Sequence, residues 1–407
     1  MIDRMTPRRL LIYAVPLSMA LCACVRRDAS RPLANDAYIW QRRWNSALVD
    51  ALRKSAPFVR MWRVLSAEVD SGAGLTKFTV DRDALRQSGN PVVAVIRIDG
   101  RNGINGSGEK WARQSLALAS DWKNDGIALR GIEIDYDCAV NRLRAYHDFL
   151  RILRQRLPDG IELSITALPS WLGRGELQDV LAQVNEDILQ VHSVMRPPQG
   201  LFDPDTAYKW AEDWSAVSPV PFRLALPTYW SRVTWDGNGR IAAIESETAR
   251  LGTESAGVEL VVDPTEVASL VRRLRQAPPR NLIGIAWFRL PIESDQRAWS
   301  WQTWRAVMLG RNLGAVALGV RFRRDDAGAR VVYLVNESDI DAKYPPVVSI
   351  SGQGCELADA LPPYDLERQN GSVQFLLKGN NLLRSRQERM IGWVRCSAEK
   401  LEARVSY

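Results

Sequence analysis

Leu129-Arg130-Gly131-Ile132-Glu133-Ile134-Asp135-Tyr136-Asp137-Cys138 alternates apolar and acidic residues through its second half. On a β-strand, successive side chains point to opposite faces. Ile132, Ile134 and Tyr136 therefore share one face, and Glu133, Asp135 and Asp137 share the other. The apolar face can pack beneath helices, while the acidic face must find partners or water. Three like charges side by side are costly unless they are paired or share protons, and repulsion drives their pKa values apart. The C-terminal mouth of a parallel barrel, where barrel active sites lie, suits such a row.

Seven other segments read as strands: Tyr38–Trp40, Phe58–Ala67, Val92–Asp99, Ile161–Leu168, Ile188–Val194, Phe222–Tyr229 and Leu282–Leu290. Several are near-continuous Val/Ile/Leu runs, as in a parallel sheet covered by helices. Amphipathic stretches lie between them. In the clearest, from Asn141 to Arg156, Leu143, Tyr146, Leu150 and Leu153 form one stripe that continues to Leu157. Pro158-Asp159-Gly160 then stops the helix. This alternation predicts an α/β fold, a (β/α)₈ TIM barrel over residues 37–312. Insertions at Arg101–Trp111 and Trp230–Val258 enlarge two connections. Residues 313–407 change texture. Val316–Arg323, Ala329–Val335, Val347–Ser351, Val373–Leu377 and Ile391–Cys396 predict a small β-sandwich-like domain.

A chain of 407 residues with 46% hydrophobic side chains excludes disorder and allows two domains at roughly 150 residues each. Arg4, Arg8 and Arg9 precede the apolar run Leu10–Ala20, and Leu21-Cys22-Ala23-Cys24 follows it. Residues 1–23 thus read as a secretory signal. Its last four residues resemble the bacterial lipobox, which implies lipidation at Cys24. Residues 24–36 read as a tether. The expectation is a lipid-anchored protein of the bacterial cell envelope facing the periplasm, and Val25 rather than Asp favours the outer membrane. The formal charge of +7 is scattered over the chain, so it suits solubility and anionic envelope surfaces, with no nucleic acid as partner.

Cys355 and Cys396 fall in the same C-terminal region and could pair in an oxidising compartment, leaving Cys138 as a free thiol. Only His147 and His192 are present, with no metal-ligand spacing, so neither a metal or cofactor nor a Ser-His-Asp triad is expected.

The acidic strand resembles the fourth strand of the family 18 glycoside hydrolases, the chitinase-like barrels, which carry Asp-x-x-Asp-x-Asp-x-Glu. Here the register reads Arg130-Gly131-Ile132-Glu133-Ile134-Asp135-Tyr136-Asp137. Leu226-Pro227-Thr228-Tyr229 is similar to the family's Leu-Pro-x-Tyr, and Trp287 to the Trp beneath the sugar at the cleavage point. The chain also resembles an uncharacterised family of bacterial lipoproteins defined only as a domain of unknown function. The chitinase-like resemblance implies Asp137 as general acid, Asp135 orienting the substrate's acetamido group, and Glu133 supporting the pair from below. It implies Tyr229 and Trp287 lining the sugar site. The sequence departs from the pattern in having Asp137 where the family has Glu, Arg130 where it has Asp, and Met195-Arg196-Pro197-Pro198 on the sixth strand.

Among the 15 Trp, Trp171, Trp230, Trp235 and Trp287 fall at strand ends where a flat face can stack on a sugar. Asp99, ending the third strand, could bind a sugar hydroxyl. His192 reads as an interior histidine. A second catalytic carboxylate is missing from Val194–Pro198 and Ala225–Tyr229, leaving Asp99 and Glu293 as candidates and favouring help from the substrate's own acetamido group. Three readings stay open: hydrolysis of an N-acetylhexosamine-containing glycan, glycan binding without turnover by an envelope lipoprotein, and a buried network of Arg63, Arg97, Arg196 and Arg289 that neutralises the carboxylates with no chemistry.

Overall fold

Eight parallel strands close on themselves: β1 (Ala34–Ile39), β2 (Met61–Asp70), β3 (Val92–Ile98), β4 (Leu129–Tyr136), β5 (Glu162–Ala167), β6 (Glu186–Gln190), β7 (Phe222–Pro227) and β8 (Leu282–Phe288). Each pairs with its sequence neighbours, and β1 pairs with both β2 and β8. One helix follows each strand: α1 (Ser46–Ser55), α2 (Arg82–Ser88), α3 (Gly108–Asn124), α4 (Leu143–Arg156), α5 (Glu176–Leu181), α6 (Pro204–Val217), α7 (Pro264–Gln276) and α8 (Trp301–Met308). The fold is a (β/α)₈ barrel followed by a β domain. This computed structural model describes residues 32–406 apart from 71–73, 101–103, 105–107, 193–199, 239, 246–256, 296, 370, 371 and 380. Cys22, Cys24 and the stretch from Met195 to Pro198 lie outside the described residues.

Local chemistry sets the helix ends. Asp203 and Asp263 accept backbone N–H bonds from Thr206 and Thr265, each with Pro at the first helical position. Helix α4 buries Leu143, Tyr146, Phe149, Leu150 and Leu153 against the barrel and carries Arg154 and Arg156 in its last turn.

The barrel starts earlier than the sequence implied. β1 begins at Ala34, inside the stretch read as tether, because Asp36 is fully buried and ion-paired with Arg60, Arg63 and Arg223. The interior floor is built of charge. Asp36, Glu133 and Glu186 meet Arg63 and Arg223, with Arg60 reaching Asp36 from the edge. Three carboxylates face three guanidiniums, so the layer is neutral. Gly284 on β8 is required here, since a Cβ would collide with the Arg223 guanidinium and the Ala34 carbonyl. Above this floor, Tyr38, Val95, Ile188, Ala225 and Ala286 form a small apolar layer.

The connection after β7 is not a plain loop. It forms a three-stranded antiparallel sheet from Ser231–Trp235, Ile241–Glu245 and Gly257–Leu260. The C-terminal domain has two four-stranded antiparallel sheets. Their inner faces bury Val332, Leu334, Val348, Ile350, Phe375, Ile391 and Val394. Cys355 and Cys396 are joined by a disulfide at its margin. The domain grips the barrel through Arg384, which donates to the carbonyls of Glu293 and Ala298, and through Asp341, which accepts from the Ser300 backbone N–H at 2.7 Å.

Candidate active site

At the C-terminal mouth of the barrel lies an open cleft of about 500 Å³. Asp135 and Asp137 project into it from β4 and the residue that follows it. Gly100 permits this placement, because a Cβ there would collide with the Asp137 carbonyl. Glu133 lies deeper, fully buried, accepting from the Tyr38 hydroxyl at 2.6 Å and ion-paired with Arg63. The acidic row is therefore divided. Its lower member is neutralised by the floor, and its upper two face the cleft.

Asp135 is buried and accepts a hydrogen bond of 2.6 Å from Thr166 Oγ1 on β5. Burial pushes its carboxyl up to about 7, Asp137 adds to the rise, and Thr166 and Arg97 oppose it. Asp137 is exposed at the rim of the cleft, yet the surrounding walls desolvate it enough to raise its carboxyl. Arg97 pulls it down and Asp99 pushes it up. The two aspartates titrate as a pair.

One wall of the cleft is aromatic. Phe288 packs against Trp40 at 4.8 Å, Tyr38 at 5.5 Å, Tyr229 at 5.6 Å and His192 at 5.4 Å between ring centroids. Burial lowers His192 to about 4, so it is neutral at physiological pH, and burial raises the Tyr229 hydroxyl to about 12. The rest of the lining carries charge. Glu68, at the end of β2, accepts from Arg42 at 2.9 Å and from Arg97, and Arg97 Nε lies 3.9 Å from Asp135. Arg289 is held by Asp295. The sheet inserted after β7 contributes Ile244 and Glu245, with Glu245 3.4 Å from Arg297. Among the described residues, no cluster of His, Cys, Asp and Glu could hold a metal ion.

A family model described as a domain of unknown function, DUF3142, matches residues 88–293, just over half of the chain and most of the barrel. The chain belongs to this family. A second model, the domain of unknown function DUF8456, matches residues 320–397 in the β domain. No curated protein matches the chain. Among solved structures it is similar to the spore cortex-lytic enzyme SleL of Bacillus cereus, with TM-score 0.51 and 16% identity over 69% of this chain and 75% of that one. A chitinase from Chromobacterium violaceum gives TM-score 0.49 and 15% identity over 68% and 98%. At such identities the likeness to SleL speaks for the fold alone.

Not every residue singled out in the sequence of this DUF3142 barrel reaches the cleft. Asp135, Asp137 and Tyr229 line it, and Glu133 lies beneath. Trp287 does not. It points outward, fully buried, donating to Asn35 Oδ1 at 3.0 Å and packing edge-on against Trp304. Its neighbour Phe288 takes the inward place, since β8 turns Ala286 and Phe288 to the interior. Trp230 is buried in the main hydrophobic core and does not line the cleft. Trp171 is likewise buried, donating to the Cys138 carbonyl at 2.9 Å. Asp99 is half-buried beside Asp137 without lining the cleft, and Glu293 is exposed elsewhere. Arg42, Trp40, Thr166, Glu245 and Phe288 line the cleft and were not singled out as site residues. Of these, only Phe288 carried a sequence signal, the parity of its strand.

Proposed function

We propose that the cleft binds an N-acetylhexosamine-containing glycan and hydrolyses its glycosidic bond. The observation that supports this reading is the division of the acidic row. Asp135 and Asp137 stand together in an open cleft, with their carboxyls raised by desolvation, while Glu133 below is already neutralised. One proton shared by the pair provides a donor and an acceptor at once. Asp137, the accessible member, protonates the departing glycosidic oxygen as the bond from the anomeric carbon breaks. The substrate's acetamido oxygen closes on that carbon, and Asp135, held by Thr166, orients the acetamido N–H. Water then reopens the ring formed, returning its proton to Asp137. Glu245 is occupied by Arg297, which supports assistance from the substrate over a second protein carboxylate. Trp40, Phe288 and Tyr229 supply apolar faces for sugar rings.

A second reading is glycan binding without turnover, favoured by Arg97, whose charge pulls down both aspartates and opposes a protonated acid. The two are separated by Asp137→Asn on an aryl N-acetylhexosaminide with a poor leaving group. Hydrolysis predicts wild-type turnover and a loss of about 10²–10⁴-fold in the variant. A wild type that binds chitooligosaccharides and never cleaves them supports the second reading. One that neither binds nor cleaves overturns both.

We further propose that the protein is exported and lipid-anchored through Cys24 in the bacterial cell envelope, facing the periplasm. The charged, apolar and small-residue segments that end at Cys24 support this reading.

A further inference from the structure

Two guanidiniums of the cleft lining, Arg42 and Arg97, keep one edge open to the cleft. Arg289 is ion-paired with Asp295, and Arg297 with both Glu245 and Glu259. Arg42 and Arg97 share the carboxylate of Glu68, and Arg97 Nε also lies 3.9 Å from Asp135. Glu68 sits behind them with its side chain only 11% exposed, while the two guanidiniums are 41% and 32% exposed and line the cleft. Arg42 presents Nε and Nη2 to Glu68, and Arg97 presents Nη1. Nη1 of Arg42 and Nη2 of Arg97 make no hydrogen bond to any described residue. The paired bonds from Nε and Nη2 to Glu68 orient the Arg42 guanidinium, and Phe78 lies 5.7 Å from it. A fixed, half-solvated guanidinium edge beside a second one matches the two oxygens of a carboxylate.

We propose that this pair selects an acidic glycan, one whose acetamido sugars carry a carboxylate substituent that docks on Arg42 and Arg97 while the reacting sugar sits over Asp135 and Asp137. The inference rests on the glycan reading above and narrows it from neutral acetamido polymers to anionic ones.

The test is calorimetric binding to the mature chain carrying Asp137→Asn, so that no ligand is cleaved. Three tetrasaccharides are compared at low salt: all N-acetylglucosamine, N-acetylglucosamine alternating with N-acetylmuramic acid, and the latter with its carboxylates amidated. The acidic ligand is expected to bind about tenfold or more tightly than either neutral one, the range of a charge-assisted hydrogen bond. Arg42→Gln should bring that preference to within about twofold, and Arg42→Lys, which keeps charge without the fork, should retain part of it. Equal binding of acidic and neutral ligands overturns this proposal and leaves the glycan reading standing, as does a preference that survives Arg42→Gln. Failure of all three ligands to bind overturns the glycan reading itself.

Discussion

Arg63 and Glu133 form an ion pair inside the barrel with neither side chain exposed to solvent. The pair ties the fourth strand to the second and separates a neutral floor from the carboxylates of the cleft above it. A buried charge is tolerable only while its partner remains, because each ion has surrendered its hydration.

Removing the cation alone should therefore be severe. Arg63→Met leaves Asp36, Glu133 and Glu186 facing one another with Arg223 and, from the edge, Arg60 as the remaining cations. We expect a loss of about 3–5 kcal/mol in a denaturant titration. Adding Glu133→Gln to Arg63→Met should restore part of it. A single variant as stable as the wild type would refute the account of the floor.

The shifted Asp135 makes stability depend on pH with a definite sign. Its carboxyl titrates near 7 in the folded chain and near the ordinary aspartate value when unfolded. Between those values the folded state holds the extra proton, so stability falls as pH rises through that window. Its contribution is full below the unfolded value and is lost above about 7. Asp135→Asn should thus raise Tm relative to wild type more at pH 8 than at pH 5.

Thr166 is the group that restrains this shift, through its hydroxyl bond to Asp135. Thr166→Val removes a donor that favours the ionised form. Carbon-13 NMR of aspartate carboxyls should then show the Asp135 titration moving further upward. A downward movement would contradict the assignment of that bond.

Trp287 and Phe288 are adjacent in sequence and opposite in role. Trp287→Ala should cost about 3–5 kcal/mol, as for other buried aromatics, because it empties space between β8 and α8. Phe288→Ala removes the centre of the aromatic wall and should weaken chitooligosaccharide binding with a smaller loss of stability. Binding that depends on Trp287 and not on Phe288 would reverse the placement.

The disulfide between Cys355 and Cys396 spans 41 residues. In the chain-entropy treatment such a loop contributes about 4 kcal/mol. Cys355→Ala with Cys396→Ala should lower the stability of the β domain accordingly, measured by thermal unfolding. Mass spectrometry of the intact protein should find Cys138 as a free thiol. For the proposed anchor, Cys24→Ser should abolish labelling by a fatty-acid analogue, and normal labelling of that variant would reject it.

What the sequence determined by itself is what short-range physics encodes. Alternation on Ile132–Asp137 sets which side chains leave the strand together, and the runs from Val92 and Phe222 mark strands covered on both sides. Helix stripes such as that of Leu143–Leu153 follow from a 3.6-residue period, so the barrel and its acidic face were readable before any contact was known. Tertiary structure alone decided the company each side chain keeps. Whether Trp287 or Phe288 faces the cleft depends on the register of β8 between β1 and β7, set by closure across more than 200 residues. Arg42, Glu68 and Arg97 lie on three separate strand ends, and Glu245 enters from an inserted sheet whose pairing is non-local. A sequence pattern carries period and facing direction. It does not carry the stagger between strands, and that stagger determines which charges meet.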